Sequence, residues 1–200
     1  MSQAKERPIL FSGPMVRAIL EGDKAVTRRA VKMTHLLRVC LEPVEGELKL
    51  KAAKKLCPLG RPGDRLWVRE AWAADAQVDS IAPRELSLGE PILYPADGVI
   101  RQTGCAMISR GKIRPSIHMP RRLSRILLEI TDVRVERLQD ISEQQALAEG
   151  VMSAERDIDP DGNGYSPVEL FGGLWVKLNG MDSWSANPWV WVVEFQRIQP

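Results

Sequence analysis

Hydrophobic and polar positions alternate most cleanly along Arg65-Leu66-Trp67-Val68-Arg69-Glu70-Ala71-Trp72, and this period of two predicts a strand. Leu66, Val68, Glu70 and Trp72 then share one face, which is apolar except for the carboxylate. Ser124 to Leu138, rich in Ile, Leu and Val, predicts one long strand or a bent pair. Trp189 to Ile198 is apolar at most positions and predicts a strand buried on much of both faces. Shorter strands are expected at Val26 to Val31 and Pro91 to Tyr94. Helices are announced by their caps. Ser12 and Pro14 open a short amphipathic segment that stops at Gly22. Ser142-Glu143-Gln144-Gln145 and Ser166-Pro167-Val168-Glu169 are capping boxes; the first opens a helix to Glu149, closed by Gly150, and the second a helix through Leu178, closed by Asn179-Gly180. Gly60 to Asp64 is a tight turn. His35 to Leu59 is ambiguous, because Pro43, Gly46 and Pro58 interrupt its alternation.

Strands outnumber helices and do not alternate with them as βαβ units. The pattern predicts an α+β fold, a mixed β-barrel with short rim helices and loop insertions. We expect one domain over residues 1–200, with a loop-rich insertion at about 73–119 and a polar loop at about 153–165.

Composition is that of an ordinary globular chain, with 44% hydrophobic and 27% charged residues. The net charge of +2 conceals an uneven distribution. Arg110, Lys112, Arg114, Arg121, Arg122 and Arg125 lie in a stretch without an acid, whereas Asp140 to Asp182 holds nine acids against Arg156 and Lys177. The pattern fits either a face that binds anions or a solvated charge distribution. Cys40, Cys57 and Cys105 are too scattered for a disulfide framework and lack metal-ligand spacing. With no apolar run at the N-terminus and none near the ~20 residues that span a bilayer, a cytoplasmic protein is expected.

The densest chemistry is in Gly22-Asp23-Lys24-Ala25-Val26-Thr27-Arg28-Arg29. A lysine near a threonine can activate a hydroxyl nucleophile, and arginines can hold an anion; a basic strand start is the plain alternative. Lys24 and Thr27 point to opposite faces of a regular strand, so they converge only if Lys24 sits in the turn before it. Glu70 on its apolar face calls for a partner: a lysine, its neighbours Arg65 or Arg69, or water at the strand end. His118 stands between basic residues in a loop stiffened by Pro115 and Pro120, as an anion or base contact or as a structural histidine. Tyr94 and Asp97 offer a ring and a carboxylate after a short strand, and Asp97 serves equally as a turn residue. Trp67 and Trp72 flank Glu70, and one of them can stack a flat base. Asp157 to Gly164 has part of a calcium-loop pattern, but Val168 occupies the closing position and Pro160 interrupts it.

These pieces in this order resemble the ASCH domain family of the PUA-like superfamily, and most of all its longer phage and prophage members. The likeness rests on Pro8 to Met15 with Glu21 to Arg29, then Gly63 to Trp72, Tyr94 to Asp97, Pro115 to Arg121, and Asn187 to Phe195. It implies a PUA-like β-barrel whose cleft takes a nucleotide or an RNA segment. Small ASCH proteins are amidohydrolases acting on N4-acetylcytidine. Their Lys-x-x-Thr matches Lys24 and Thr27, their Arg two residues after that Thr matches Arg29, and their acid is matched here to Glu70. The resemblance therefore implies Thr27 as nucleophile, Lys24 as base and Glu70 as relay, acting without metal or cofactor on an N4-acylated cytosine. Arg28, Arg29, Trp72, Tyr94, Asp97, His118 and Arg121 are the expected substrate contacts. The competing expectations are an RNA-binding module without catalysis, and a barrel that binds a protein partner.

Overall fold

The computed structural model describes residues 4–32 and 56–199. Most of the ambiguous stretch His35 to Leu59 lies outside them, as does Cys40. The strands are β1 (Glu6–Leu10), β2 (Val26–Ala30), β3 (Arg65–Arg69), β4 (Ile92–Tyr94), β5 (Val99–Arg101), β6 (Leu127–Arg137) and β7 (Trp189–Ile198). The helices are α1 (Gly13–Glu21), α2 (Glu143–Ala148), α3 (Glu155–Ile158) and α4 (Pro167–Asn179), with several short 3₁₀ turns between them. The fold is thus mixed α+β.

Five strands form one mixed sheet in the order β1-β3-β6-β7-β2. β1 and β3 run parallel, and the other pairs are antiparallel. The long β6–β7 ladder shifts register between Ile130 and Asp132, which bends the sheet. Among the described residues no ladder joins β1 to β2 and no closed barrel is formed. Both faces are covered, which explains the nearly continuous apolar run of β7. Trp191, Val193 and Phe195 pack with Met15, Val16 and Ile19 of α1, while Val190 and Val192 pack with Leu170, Phe171 and Trp175 of α4. Each such side chain removed from water contributes about 1.5–3 kcal/mol.

The caps behave as their chemistry requires. Ser142 and Ser166 both close full capping boxes, and Pro167 occupies the first turn of α4. Ser12 precedes α1 without a side-chain cap bond, and Gly22 ends that helix at φ 92°. Three regions differ from expectation. β1 carries no clear alternation in sequence; its parallel pairing with β3 makes it a strand. β3 stops at Arg69 because the chain turns into the insertion, where Trp72 bridges to Arg114 and Ala73 to Leu93. The polar loop at 153–165 contains α3, because Ala154 and Ile158 are drawn into the core.

The insertion has a small core of its own, including Trp72, Leu86, Ile92, Tyr94, Met119 and Leu123. Asp75 stitches it together by accepting backbone hydrogen bonds from Gln77, Ile108 and Ser109. No helix among the described residues is long and apolar enough to cross a membrane.

Candidate active site

Among the described residues β1 and β2 are the outer strands of the sheet, and a cavity of about 390 Å³ is lined by residues from both sides. Leu10, Phe11 and Ser12 line it from the β1 side, and Thr27, Arg28, Arg29 and Ala30 from the β2 side. Lys24 and Glu149 also line it, and Phe171, Leu174, Trp175 and Leu178 of α4 contribute apolar lining. A side-chain bond crosses the seam: Arg29 Nη2 donates to the Leu10 carbonyl at 2.8 Å. Phe11 sits beneath two cations, with Lys24 Nζ and the Arg29 guanidinium each 5.5 Å from its ring centroid.

Lys24 lies in the turn between α1 and β2, held by its own N–H on the Ala18 carbonyl. Its residue pairs in an isolated antiparallel bridge with Glu149, and the Ala25 N–H donates to the Ala148 carbonyl alongside. This short ladder fixes the end of α2 against the start of β2. Gly150, at φ 75°, lets the chain leave at that point, since a Cβ there would lie 2.6 Å from the Ala18 Cβ and 3.0 Å from the Lys24 Cβ.

The result is a buried ion cluster. Lys24 Nζ donates to the Val26 carbonyl at 2.8 Å, to the Glu149 carbonyl at 2.7 Å and to Glu149 Oε2 at 2.7 Å. Burial pushes the Lys24 amine below its ordinary value, the Glu149 carboxylate opposes that, and Arg29 and Arg28 add to it. Thr27 is likewise buried at the cavity wall, and its hydroxyl makes no hydrogen bond to a described residue. A buried lysine with a depressed pKa, a carboxylate paired with it and a threonine hydroxyl on one cavity are the parts of an activated oxygen nucleophile.

Glu70 is not part of this cluster. It is buried, as its face predicted, but Arg125 grips both of its oxygens at 2.9 Å. The expected Lys24–Glu70 pair is therefore replaced by Lys24–Glu149. Period-two reasoning identifies the face of a strand and not the neighbour across from it. The sequence does hold a signal for Glu149, an acid at the end of a helix just before the terminating Gly150. A negative charge at a helix C-terminus opposes the macrodipole and calls for a compensating partner.

The other expected contacts separate in the same way. Arg28 and Arg29 line the cavity. Trp72, Tyr94, Asp97, His118 and Arg121 do not. Trp72 is buried in the insertion core under Arg114. The Tyr94 hydroxyl donates to the Leu123 carbonyl at 2.7 Å, and its ring lies 4.1 Å from the Arg125 guanidinium. Asp97 accepts from Arg125 at 2.7 and 3.0 Å. Arg121 pairs with Glu6. His118 is exposed on a 3₁₀ turn, while Ser116 of the same turn reaches the cavity.

The basic stretch is largely occupied by the protein itself. Arg114 donates to the Val78, Asp79 and Ile81 carbonyls, and Arg122 to those of Pro83, Arg84 and Leu86. Arg114 thus closes the insertion on itself, Arg122 fastens it to the turn before β6, and Arg125 joins its Asp97 to Glu70 at the end of β3. The calcium-like loop is also closed on itself, since Asp159 accepts from Asn163 and from the Gly164 N–H. Among the described residues no cluster of three or more His, Cys, Asp or Glu is arranged to hold a metal.

No family model matches the sequence, and no curated protein matches it. Among solved structures the chain is similar to the crystal structure of protein EF3133 from Enterococcus faecalis V583, of family DUF984. The TM-score is 0.36 and the identity 8%, over 100% of this chain and 82% of that one. A likeness of that size is coarse, so the site is read from its own geometry.

Proposed function

We propose that the protein is an amidohydrolase that removes the acyl group from an N4-acylated cytosine nucleoside or nucleotide, with Thr27 as nucleophile. The observation that carries this reading is the Lys24–Glu149 pair beside Thr27 on one cavity, with the carboxylate 2.7 Å from the amine. In this reading Lys24 and Thr27 keep the roles that the ASCH resemblance implies, and Glu149 takes the place of Glu70 as the acid. The bond between Arg29 and Leu10 further supports a PUA-like barrel split along one seam, with the cavity as its cleft. The cavity suits a flat polar ring, since both cations and the aromatic Phe171 and Trp175 line it.

The chemistry follows from the hydrogen bonds. Lys24 gives a proton to Glu149 and becomes a neutral amine. It then takes the Thr27 hydroxyl proton as the oxygen attacks the acyl carbon. Arg29 spends one nitrogen on Leu10 and turns its remaining donors to the developing oxyanion. As the C–N bond breaks, the Lys24 ammonium returns its proton to the departing cytosine N4. Lys24 then takes a proton from water as its oxygen attacks the acyl-threonine, and returns it to the Thr27 oxygen as the ester C–O bond breaks, releasing the carboxylic acid.

The test is turnover of a panel of N4-acylated cytidines by purified protein. Thr27→Ala is expected to lower kcat at least 10³-fold and Glu149→Gln about 10²–10⁴-fold, with the fold retained. If the unaltered protein turns over none of the panel, the reading falls, and ligand binding without turnover would put a binding module in its place.

A further inference from the structure

Arg28 is often the kind of residue assigned to a substrate, because it lines the cavity beside the nucleophile. Its hydrogen bonds say otherwise. The side chain is fully buried. Nη1 donates to Glu149 Oε1 at 3.2 Å, and Nη2 donates to Gln145 Oε1 at 2.9 Å and to Glu136 Oε2 at 3.3 Å. Its Nε is buried without a partner, and the guanidinium carbon lies 5.8 Å from the Phe171 ring centroid. Both terminal nitrogens are thus directed at the protein.

Glu149 is held from two sides, Lys24 on one oxygen and Arg28 on the other. Gln145, which anchors Arg28, also closes the capping box of α2, the helix that ends at Glu149. Glu136 on β6 draws Arg28 the opposite way and is itself paired with Arg134, which also contacts Glu194 of β7 and Asp132. We propose that Arg28 is a positioning residue that sets the proton affinity of the Lys24–Glu149 pair, with Glu136 as its counterweight. This rests on the amidohydrolase reading only for its effect on rate.

The charged groups around the pair are few. β2 contributes Arg28 and Arg29, and β6 contributes Glu136 with Arg134 behind it. Asp23 beside Lys24 and Glu21 at the end of α1 are exposed, and Arg17 of α1 is turned to the Ala96 carbonyl. α1 meets Lys24 through Ala18, and α4 meets the cluster through the apolar Phe171, Leu174 and Trp175. The signs follow directly. A positive charge beside the pair disfavours its protonated forms, so removing Arg28 raises the pH at which the amine is freed. Neutralising Glu136 lowers that pH.

The experiment compares Arg28→Gln and Glu136→Gln with the unaltered protein through two readouts. One is the pH profile of kcat/KM on N4-acetylcytidine. The other is trace acetylation of the Lys24 amine by acetic anhydride across pH, quantified by peptide mass spectrometry, which needs no turnover. Arg28→Gln is expected to move both midpoints alkaline by about one pH unit, and Glu136→Gln to move them in the acid direction. A purely structural role would lower thermal stability or rate and leave the midpoints in place. If Arg28→Gln does not fold, the acid displacement in Glu136→Gln decides alone. Labelling midpoints unchanged in the folded variants overturn the proposal, even if turnover is normal. Opposed labelling midpoints in a protein that turns over no substrate support the charge control and remove the amidohydrolase reading instead.

Discussion

Glu70 and Glu149 are both buried acids, and what separates them is the cation each one meets. Glu70 faces a bidentate guanidinium that cannot give up its proton, so it is a strut between β3 and the segment before β6. Glu149 meets the Arg28 guanidinium on one oxygen but an amine on the other, whose pKa burial lowers, and the proposed mechanism uses that amine to carry a proton. Glu70→Gln is accordingly expected to leave kcat/KM on an N4-acylated cytidine within about threefold, while costing about 1–3 kcal/mol in a denaturant titration. A loss of activity as large as that in Glu149→Gln, in a folded variant, would return Glu70 to the catalytic set. Gly150→Ala tests the support beneath the pair. Its positive φ and the 2.6 Å approach to the Ala18 Cβ make the methyl group unaccommodated. We expect a loss of about 1–3 kcal/mol in urea unfolding and a reduced kcat, because relief of that contact displaces Lys24.

At the scale of elements, the insertion is attached by arginines rather than by a large core. Arg122 donates to three carbonyls of the segment Pro83 to Leu86, whereas the Arg121–Glu6 pair is partly exposed on the surface. Arg122→Ala leaves those carbonyls without their donor and is expected to lower the midpoint of thermal unfolding by several degrees. Arg121→Ala is expected to change stability by less than about 1 kcal/mol, as exposed pairs usually do. Equal effects of the two substitutions, measured by differential scanning calorimetry, would contradict this assignment. The capping boxes show a different economy of parts. Gln145 closes the first turn of α2 and also holds Arg28, so one side chain orders a helix start and the charge cluster at its far end.

For the whole molecule, pH acts through carboxylates held below their usual pKa, among them Asp64, Asp75, Asp97, Asp159 and Glu169. Burial pushes the Asp64 carboxyl up, but hydrogen bonds from Lys5 N–H, Arg7 and Arg61 N–H outweigh it and hold the pKa below the usual value. Asp75 is held low by the backbone N–H of Gln77, and by those of Ser109 and Ile108. At Asp97 burial is outweighed by Arg125 and the Val99 N–H. Each folded pKa lies below the unfolded one. Their stabilisation is therefore complete above about pH 4 and is lost as pH falls through the folded values. Lys24 has the opposite effect, because burial lowers a cation's pKa: its cost is present below the folded pKa and is relieved as pH rises from there toward the unfolded value of 10.5. Urea unfolding between pH 2 and 6 is expected to show a steep acid limb. In Asp75→Asn that limb should flatten; an unchanged limb would remove Asp75 from the titrating set.

Local chemistry was enough to place many of the elements. The capping boxes at Ser142 and Ser166, the stop at Gly22, the tight turn ending at Asp64 and the apolar run of β7 each depend on residues a few positions apart. The same locality set Lys24 in a turn and Thr27 on a strand three residues later. Partner choice was a different matter. Glu149 reaches Lys24 across 125 positions and Arg125 reaches Glu70 across 55, and no periodicity carries information over such spans. The sheet order and the strand character of β1 likewise depend on pairing between distant segments. A buried acid could thus be read from the alternation around Glu70, because burial is a property of a face. Which cation compensates a buried acid is decided only when the chain packs, because Coulomb energy depends on distance in space and not along the sequence.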